Sequence, residues 1–244
     1  MDTPTDPARR RLLLAASLTP LVPLLAACAA APGTSDGPPA PGPTLKVGDR
    51  WVYSGRDGFR DPLVWEETRE VVAVAPGAID IRVTWKGNRV DSTRVERWTT
   101  PGDLAVGAIV DIETRRFTPP LPRWKYPLTP GDGWSLFAHQ VNETTGRTDP
   151  VNYWIKVGGW KPVTTPAGTF DAVALRIMMR LDDEEFWRTA TEANYLFWYA
   201  PAVGNMVLEE KEAQYYDKGD PMSRATYRSQ HGILEMVSWV KKAP

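Results

Sequence analysis

The chain from Leu45 to Pro244 predicts an all-β fold: an antiparallel meander forming a curved sheet, a partial barrel or a sandwich. Three observations carry that reading. Apolar residues alternate with polar ones at a period of two, as in Ile79, Ile81, Val83 and Trp85, or Val173, Leu175, Ile177, Met179 and Leu181. Turn-forming clusters such as Ala75-Pro76-Gly77, Lys86-Gly87-Asn88, Pro166-Ala167-Gly168 and Lys218-Gly219-Asp220-Pro221 separate these runs at hairpin spacing. No stretch carries a capped 3.6-residue stripe, and parallel strands would need longer crossovers than these turns allow.

The first element is an address. Arg9-Arg10-Arg11 precede an apolar run from Leu12 to Ala27. As a helix that run would span about 24 Å at ~1.5 Å per residue. A bilayer core is about 30 Å thick, and Pro20 and Pro23 break a helix. Residues 1–27 therefore read as a secretory signal. Leu25-Ala26-Ala27-Cys28 resembles the lipobox of bacterial lipoproteins, with the chain's single Cys in the last place. The resemblance implies a diacylglycerol on Cys28, cleavage before it, and fatty acylation (palmitate) of the new terminus. Two or more acyl chains give stable membrane anchoring. Ala29 is not the Asp that usually retains lipoproteins at an inner membrane, so in a bacterium with two membranes the expected residence is the outer one, facing the periplasm. Arg9-Arg10-Arg11 serves the twin-arginine and the general secretory routes equally.

Residues 28–44 follow as a lipidated Cys and a tether. Ala29 to Pro43 holds five Pro and nothing larger than Asp, a composition that cannot bury a core. Extended at about 3.1 Å per residue, it would stand the domain up to about 45 Å from the membrane. Strands then read near 49–55, 63–75, 78–86, 89–98, 108–116, 133–143, 150–161, 169–181, 186–199, 205–217 and 224–240. Charge alternation at Arg94 and Glu96, and at Glu209 and Lys211, marks those positions as the wet face of the sheet. Val47-Gly48-Asp49-Arg50-Trp51 is echoed at Pro130-Gly131-Asp132-Gly133-Trp134. That echo divides residues 45–244 into two similar halves, about 45–127 and 128–244.

Composition excludes several functions. A charge of -1, from 29 Lys+Arg against 30 Asp+Glu, gives no basic surface for nucleic acid. One Cys excludes an intrachain disulfide framework, an iron–sulfur cluster and a cysteine-built zinc site. No H-E-x-x-H, G-x-S-x-G or G-x-x-x-x-G-K is present. His139 and His231 stand alone, with no nucleophile paired to either in sequence. Asp182-Asp183-Glu184-Glu185 has the charge for a hard cation but lacks calcium-loop spacing, and reads as a hairpin loop. Asn142-Glu143-Thr144 is a chance glycosylation match in a chain with a bacterial lipobox. Eleven Trp against 6 Phe, spread over most strands, read first as core.

Three stretches resemble a family of uncharacterised bacterial envelope lipoproteins with a β-rich domain of unknown function. They are Leu45-Lys46-Val47-Gly48-Asp49-Arg50-Trp51-Val52-Tyr53, Val163-Thr164-Thr165-Pro166-Ala167-Gly168-Thr169-Phe170-Asp171-Ala172, and Phe197-Trp198-Tyr199-Ala200-Pro201-Ala202-Val203-Gly204. Thr165 departs from the hydrophobic residue usual there. The resemblance implies a curved sheet and envelope residence, and supplies no active site. The expected protein is not an enzyme and has no cofactor, metal or catalytic residue. Its partners are the membrane, through Cys28, and an apolar ligand held as a binding or carrier module. The alternatives are a structural or assembly protein of the envelope, or a hydrolase using a carboxylate pair from separate strands.

Overall fold

The computed structural model describes residues 35–59, 62–110, 112–219 and 225–242; the signal segment and Cys28 lie outside the described residues. Twelve strands follow in order: β1 (Arg50–Asp57), β2 (Val64–Ala75), β3 (Ala78–Gly87), β4 (Asp91–Trp98), β5 (Asp103–Gly107), β6 (Arg115–Pro122), β7 (Gly133–Asn142), β8 (Thr148–Thr165), β9 (Gly168–Leu181), β10 (Thr191–Ala200), β11 (Asn205–Tyr216) and β12 (Thr226–Val240). Each pairs antiparallel with the next, and β12 pairs back onto β1, so the meander closes into a barrel without free edges.

Period two places the predicted faces correctly for most strands. Ile79, Val83 and Trp85 of β3, and Val173 through Leu181 at alternate positions of β9, are buried. A barrel of this strand number leaves room for large side chains, and aromatic rings fill much of it. Trp51, Trp65, Trp85, Trp98, Trp124 and Trp198 are buried, whereas Trp154, Trp187 and Trp239 are exposed. The outer face carries charges mid-strand, including Glu66, Arg82, Arg176, Arg180 and Glu210. In lipid such charges would cost about 2–4 kcal/mol each at the midplane for the basic ones, so this outer surface suits water. No helix among the described residues is long and apolar enough to cross a membrane.

Three expectations change. The single strand expected at 108–116 is replaced by β5 and β6 with a loop between them. Pro119 and Pro120 in β6 lack N–H donors, and pairing jumps from Leu104↔Leu121 to Val106↔Arg116 around them. The strand expected at 186–199 begins only at Thr191, because Asp183 ties down the preceding loop: its carboxylate accepts from Thr191 N at 2.7 Å and Thr191 Oγ1 at 2.8 Å. The faces of Arg94, Glu96, Glu209 and Lys211 are reversed, since these side chains point into the barrel. Glu96 and Glu209 are buried, while outward-facing Val95 is 46% exposed.

One end of the barrel, the floor, gathers the motifs. Asp49 is fully buried, and its carboxylate accepts from Lys46 N, Lys242 N and Lys241 Nζ at 2.7–3.0 Å. It thus clamps the start of β1 to the chain beyond β12. Trp51 Nε1 donates to Val203 O at 2.9 Å, joining residues 45–53 to residues 197–204. The echoed turns make the same bonds: Gly48 N to Val71 O and Val71 N to Asp49 O, matched by Gly131 N to Val157 O and Val157 N to Asp132 O. Both glycines have φ near +90° (88° and 92°), where a side chain would be strained.

The segment read as a tether is bound to this floor over residues 35–44. Ser35 and Trp160 exchange backbone bonds, as do Ala40 and Leu128. Trp160 Nε1 donates to Pro38 O at 3.0 Å and Tyr199 OH to Pro41 O at 2.9 Å. Ala40 is fully buried in the core. Small residues and prolines bury little area, but their carbonyls are good acceptors, and Pro loses little entropy on being fixed. Each such bond contributes about 1 kcal/mol, and 1 kcal/mol shifts Tm by roughly 2–4 °C at this chain length. A chain beginning at Leu45 should therefore melt at least about 6 °C below one beginning at Ser35, measured by circular dichroism. A free tether would leave the two alike.

Candidate functional site

The barrel interior is divided by chemistry. β7 to β10 line it with Ala138, Val151, Tyr153, Ile155, Ile177, Tyr195 and Phe197, all buried. β2, β4 and β11 instead contribute inward charges at alternate positions: Glu67 and Arg69, Arg94 and Glu96, Glu209 and Lys211. These surround a cavity of about 90 Å³, with Trp51, Trp85, Trp98 and Arg123 also in its wall.

Arg69 is the centre of this network. Its Nε lies 2.6 Å from Glu67 Oε1, and its Nη1 2.6 Å from Glu209 Oε1. Its guanidinium also sits 4.6 Å from the centre of the Tyr53 ring. Lys211 Nζ holds the second Glu209 oxygen at 2.6 Å. Arg94 donates twice to Glu96 Oε1, at 2.9 and 3.1 Å. Burial alone would raise Glu209 and Glu96. Arg69 with Lys211 in the first case, and Arg94 then Arg123 and Arg69 in the second, outweigh it and hold both carboxyls below the usual range. Burial pushes the Tyr153 phenol up to about 12.

The opposite end of the barrel opens as a mouth. A pocket of about 280 Å³ lies there, walled by Leu63, Trp65, Trp85, Val90, Ile112 and Leu234, with Phe59 at the rim. Trp65 and Trp85 stack with centroids 5.0 Å apart and planes at 24°. Gly55 makes that position possible, because a Cβ there would stand 2.2 Å from the Trp65 indole. Trp85, Lys211 and Gln230 line both the mouth pocket and the interior cavity, and so form the partition between them.

Residues singled out from sequence fall in different places. His231 lines the mouth pocket, 3.6 Å from Glu212 and edge-on to Phe59. His139 is exposed on the outer face beside Phe137. The acidic run 182–185 is bound to cations of the chain: Asp182 to Arg180, Asp183 to Arg188, Glu184 to Lys218 and Glu185 to Arg147. Asn142 caps its own turn, accepting from Thr144 N and Thr145 N. Of the interior charges, the sequence put Arg94, Glu96, Glu209 and Lys211 on the wrong face and left Glu67 and Arg69 unremarked, although their same-face spacing was visible.

No known family's sequence profile matches the chain, and no curated protein matches it. Three solved structures are similar to it. An exported protein of Bacteroides fragilis with a YmcC-like fold is 12% identical over 84% of this chain and 100% of its own, with a TM-score of 0.46. A lipoprotein of Parabacteroides distasonis is 14% identical over 80% and 96%, TM-score 0.41. The hypothetical lipoprotein YmcC of Escherichia coli is 9% identical over 82% and 86%, TM-score 0.38. At such identities none of their residues transfers to a position in this chain.

The depressed carboxyls make a pH prediction. An unfolded Glu titrates near 4.3. Glu96 and Glu209 therefore contribute stability that is complete above that value and is lost as pH falls through their lower folded values. Denaturant melts should be flat from pH 8 to 5 and weaken below about pH 4. Arg69→Met, which leaves two buried carboxylates short of a partner, should cost about 3–5 kcal/mol at pH 7. It should also move the acid transition up by about one pH unit. An unchanged acid transition would contradict the network.

Proposed function

We propose that this chain is a lipid-anchored binding module of the bacterial cell envelope that holds an apolar ligand in the mouth pocket and performs no catalysis. The observation that carries the reading is the pocket itself: about 280 Å³, open at one end, walled mostly by aromatic and aliphatic side chains. Concavity, apolar walls and a few polar groups at the base are the usual form of a small-molecule site. The interior carboxylates support a non-catalytic role. A hydrolase acid needs a raised pKa, whereas Glu96 and Glu209 are held down by their cations.

The anchor at Cys28 rests on the lipobox resemblance. Six residues lie between Cys28 and Ser35, the first described residue bound to the floor, and those seven steps span at most about 25 Å of extended chain. Cys28→Ser should move the protein from the membrane to the soluble fraction. A second reading, an envelope interaction protein, is favoured by exposed Phe137, Trp154 and Met178 on neighbouring strands of the outer face.

Neutral dodecanol tests the pocket, with tryptophan fluorescence of the Cys28→Ser protein as the readout, since Trp65 and Trp85 form the wall. Saturable binding with a micromolar Kd is expected. Leu63→Asp, which puts a carboxylate in the wall, should weaken it at least tenfold. No fluorescence response, or equal binding by the variant, favours the interaction protein.

A further inference from the structure

The interior cavity holds more cations than it can use. Its wall carries Arg69, Arg94, Arg123 and Lys211 against Glu67, Glu96 and Glu209. Each carboxylate is already taken: Glu67 by Arg69, Glu209 by Arg69 and Lys211, Glu96 by Arg94. Arg123 is left over. Its Nη1 donates to Ala108 O at 3.2 Å, its guanidinium also meets the Tyr153 phenol, and it lies 5.1 Å from the Trp124 ring and 6.0 Å from the Trp98 ring, all neutral groups. Its Nε is buried with no acceptor. Glu96 feels the charge of Arg123, but its hydrogen bonds come from Arg94.

The same wall offers further donors without acceptors. The indole N–H groups of Trp85 and Trp98 are both buried and unpartnered. With Arg123 Nε they make three unpartnered donors on residues that line the cavity; of the two acceptors there without a hydrogen bond, Glu67 Oε2 and Glu209 Oε2, the second lies 2.6 Å from Lys211 Nζ. A buried polar group without a partner costs about 1–3 kcal/mol, so three donors of one kind in one cavity need an explanation. A core needing only volume would be served by Phe in place of Trp85 and Trp98, and by Met in place of Arg123.

We propose that the cavity is an anion site for a carboxylate or phosphate group, with Arg123 supplying the charge and the indole N–H groups of Trp98 and Trp85 supplying donors. A guanidinium presents paired N–H groups matched to two oxygens of either anion. About 90 Å³ gives room for those oxygens, since one water needs only roughly 10–15 Å³ on such a measure. Low dielectric around the cavity strengthens the pairing. The anion comes from one of two sources: a free ion, or the acidic head of an amphiphile whose tail occupies the mouth pocket across the Trp85 partition. The site itself does not depend on the mouth pocket.

Inorganic phosphate, dodecanol and dodecyl phosphate, titrated calorimetrically into the Cys28→Ser protein, test this. Phosphate or dodecyl phosphate should bind saturably. Arg123→Gln should weaken that binding at least tenfold, with Arg123→Lys recovering part of it because the charge returns. Trp98→Phe, which keeps the ring and removes the N–H, should weaken it about three- to tenfold and guards against a folding artefact of Arg123→Gln. Arg97→Gln, on the outer face against Asp80, should bind as the parent does. Dodecyl phosphate binding at least a hundredfold tighter than phosphate, and falling to the dodecanol value in Arg123→Gln, identifies the head of an amphiphile. Phosphate and dodecanol binding independently of one another identifies a free ion. Phosphate binding without any dodecanol binding sinks the apolar pocket and leaves the anion site standing. Dodecanol binding with no response to either phosphate, or anion binding unchanged in both Arg123→Gln and Trp98→Phe, overturns the anion site.

Discussion

Arg69 joins two carboxylates on strands that are not neighbours: Glu67 on β2 and Glu209 on β11, with β1 and β12 between them. The bridge therefore spans the interior instead of reinforcing one ladder. Tyr53 of β1 lies beneath the guanidinium, and its hydroxyl donates to Met206 O of β11 at 2.9 Å, a second tie across the same gap. Removing one partner of a buried ion pair leaves an uncompensated charge, which costs far more than the intact pair contributes. Around this bridge the wall from β2, β4 and β11 is charged, while the β7 to β10 side is mostly apolar, with Gln140, Asn142 and Asp149 as buried polar exceptions.

The floor and the mouth divide the labour. The floor holds what makes the barrel close: Asp49 clamping the start of β1 to the chain just beyond β12, Trp51 bound to Val203, and residues 35–44 laid over Trp160, Leu128 and Tyr199. Two of the stretches that carry the resemblance to envelope lipoproteins supply residues for those ties: Asp49 and Trp51 come from the first, Tyr199 and Val203 from the third. In this chain their role is structural. The mouth holds the apolar pocket, built from loop residues such as Phe59, Leu63 and Ile112 that no motif covers.

Most strands were legible because period two and turn chemistry are local properties. Which face looks inward was legible only where one face is apolar. In β4, Ser92, Arg94, Glu96 and Trp98 alternate with Thr93, Val95 and Arg97, and hydrophobicity alone cannot tell the lumen from solvent. The partners that neutralise Glu96 and Glu209 make the inward choice tolerable, and Arg69 reaches Glu209 across a sequence separation of 140. β5 and β6 escaped because two prolines interrupt the ladder. Residues 35–44 read as a tether because their contribution comes from backbone carbonyls, which composition does not reveal. The interior site was illegible for the same reason as the lumen: its parts come from β2, β3, β4, β11 and the segment after β6.

The central claim is that the interior is organised by a coupled ion bridge, and a double-mutant cycle measures that coupling directly. Arg69→Met, Glu209→Gln and the double variant would each be unfolded in urea at pH 7, and the interaction free energy taken from the four stabilities. The account predicts a coupling of at least about 2 kcal/mol, as expected for a desolvated pair with several hydrogen bonds. A coupling below about 0.5 kcal/mol, the value of an exposed pair, would contradict it.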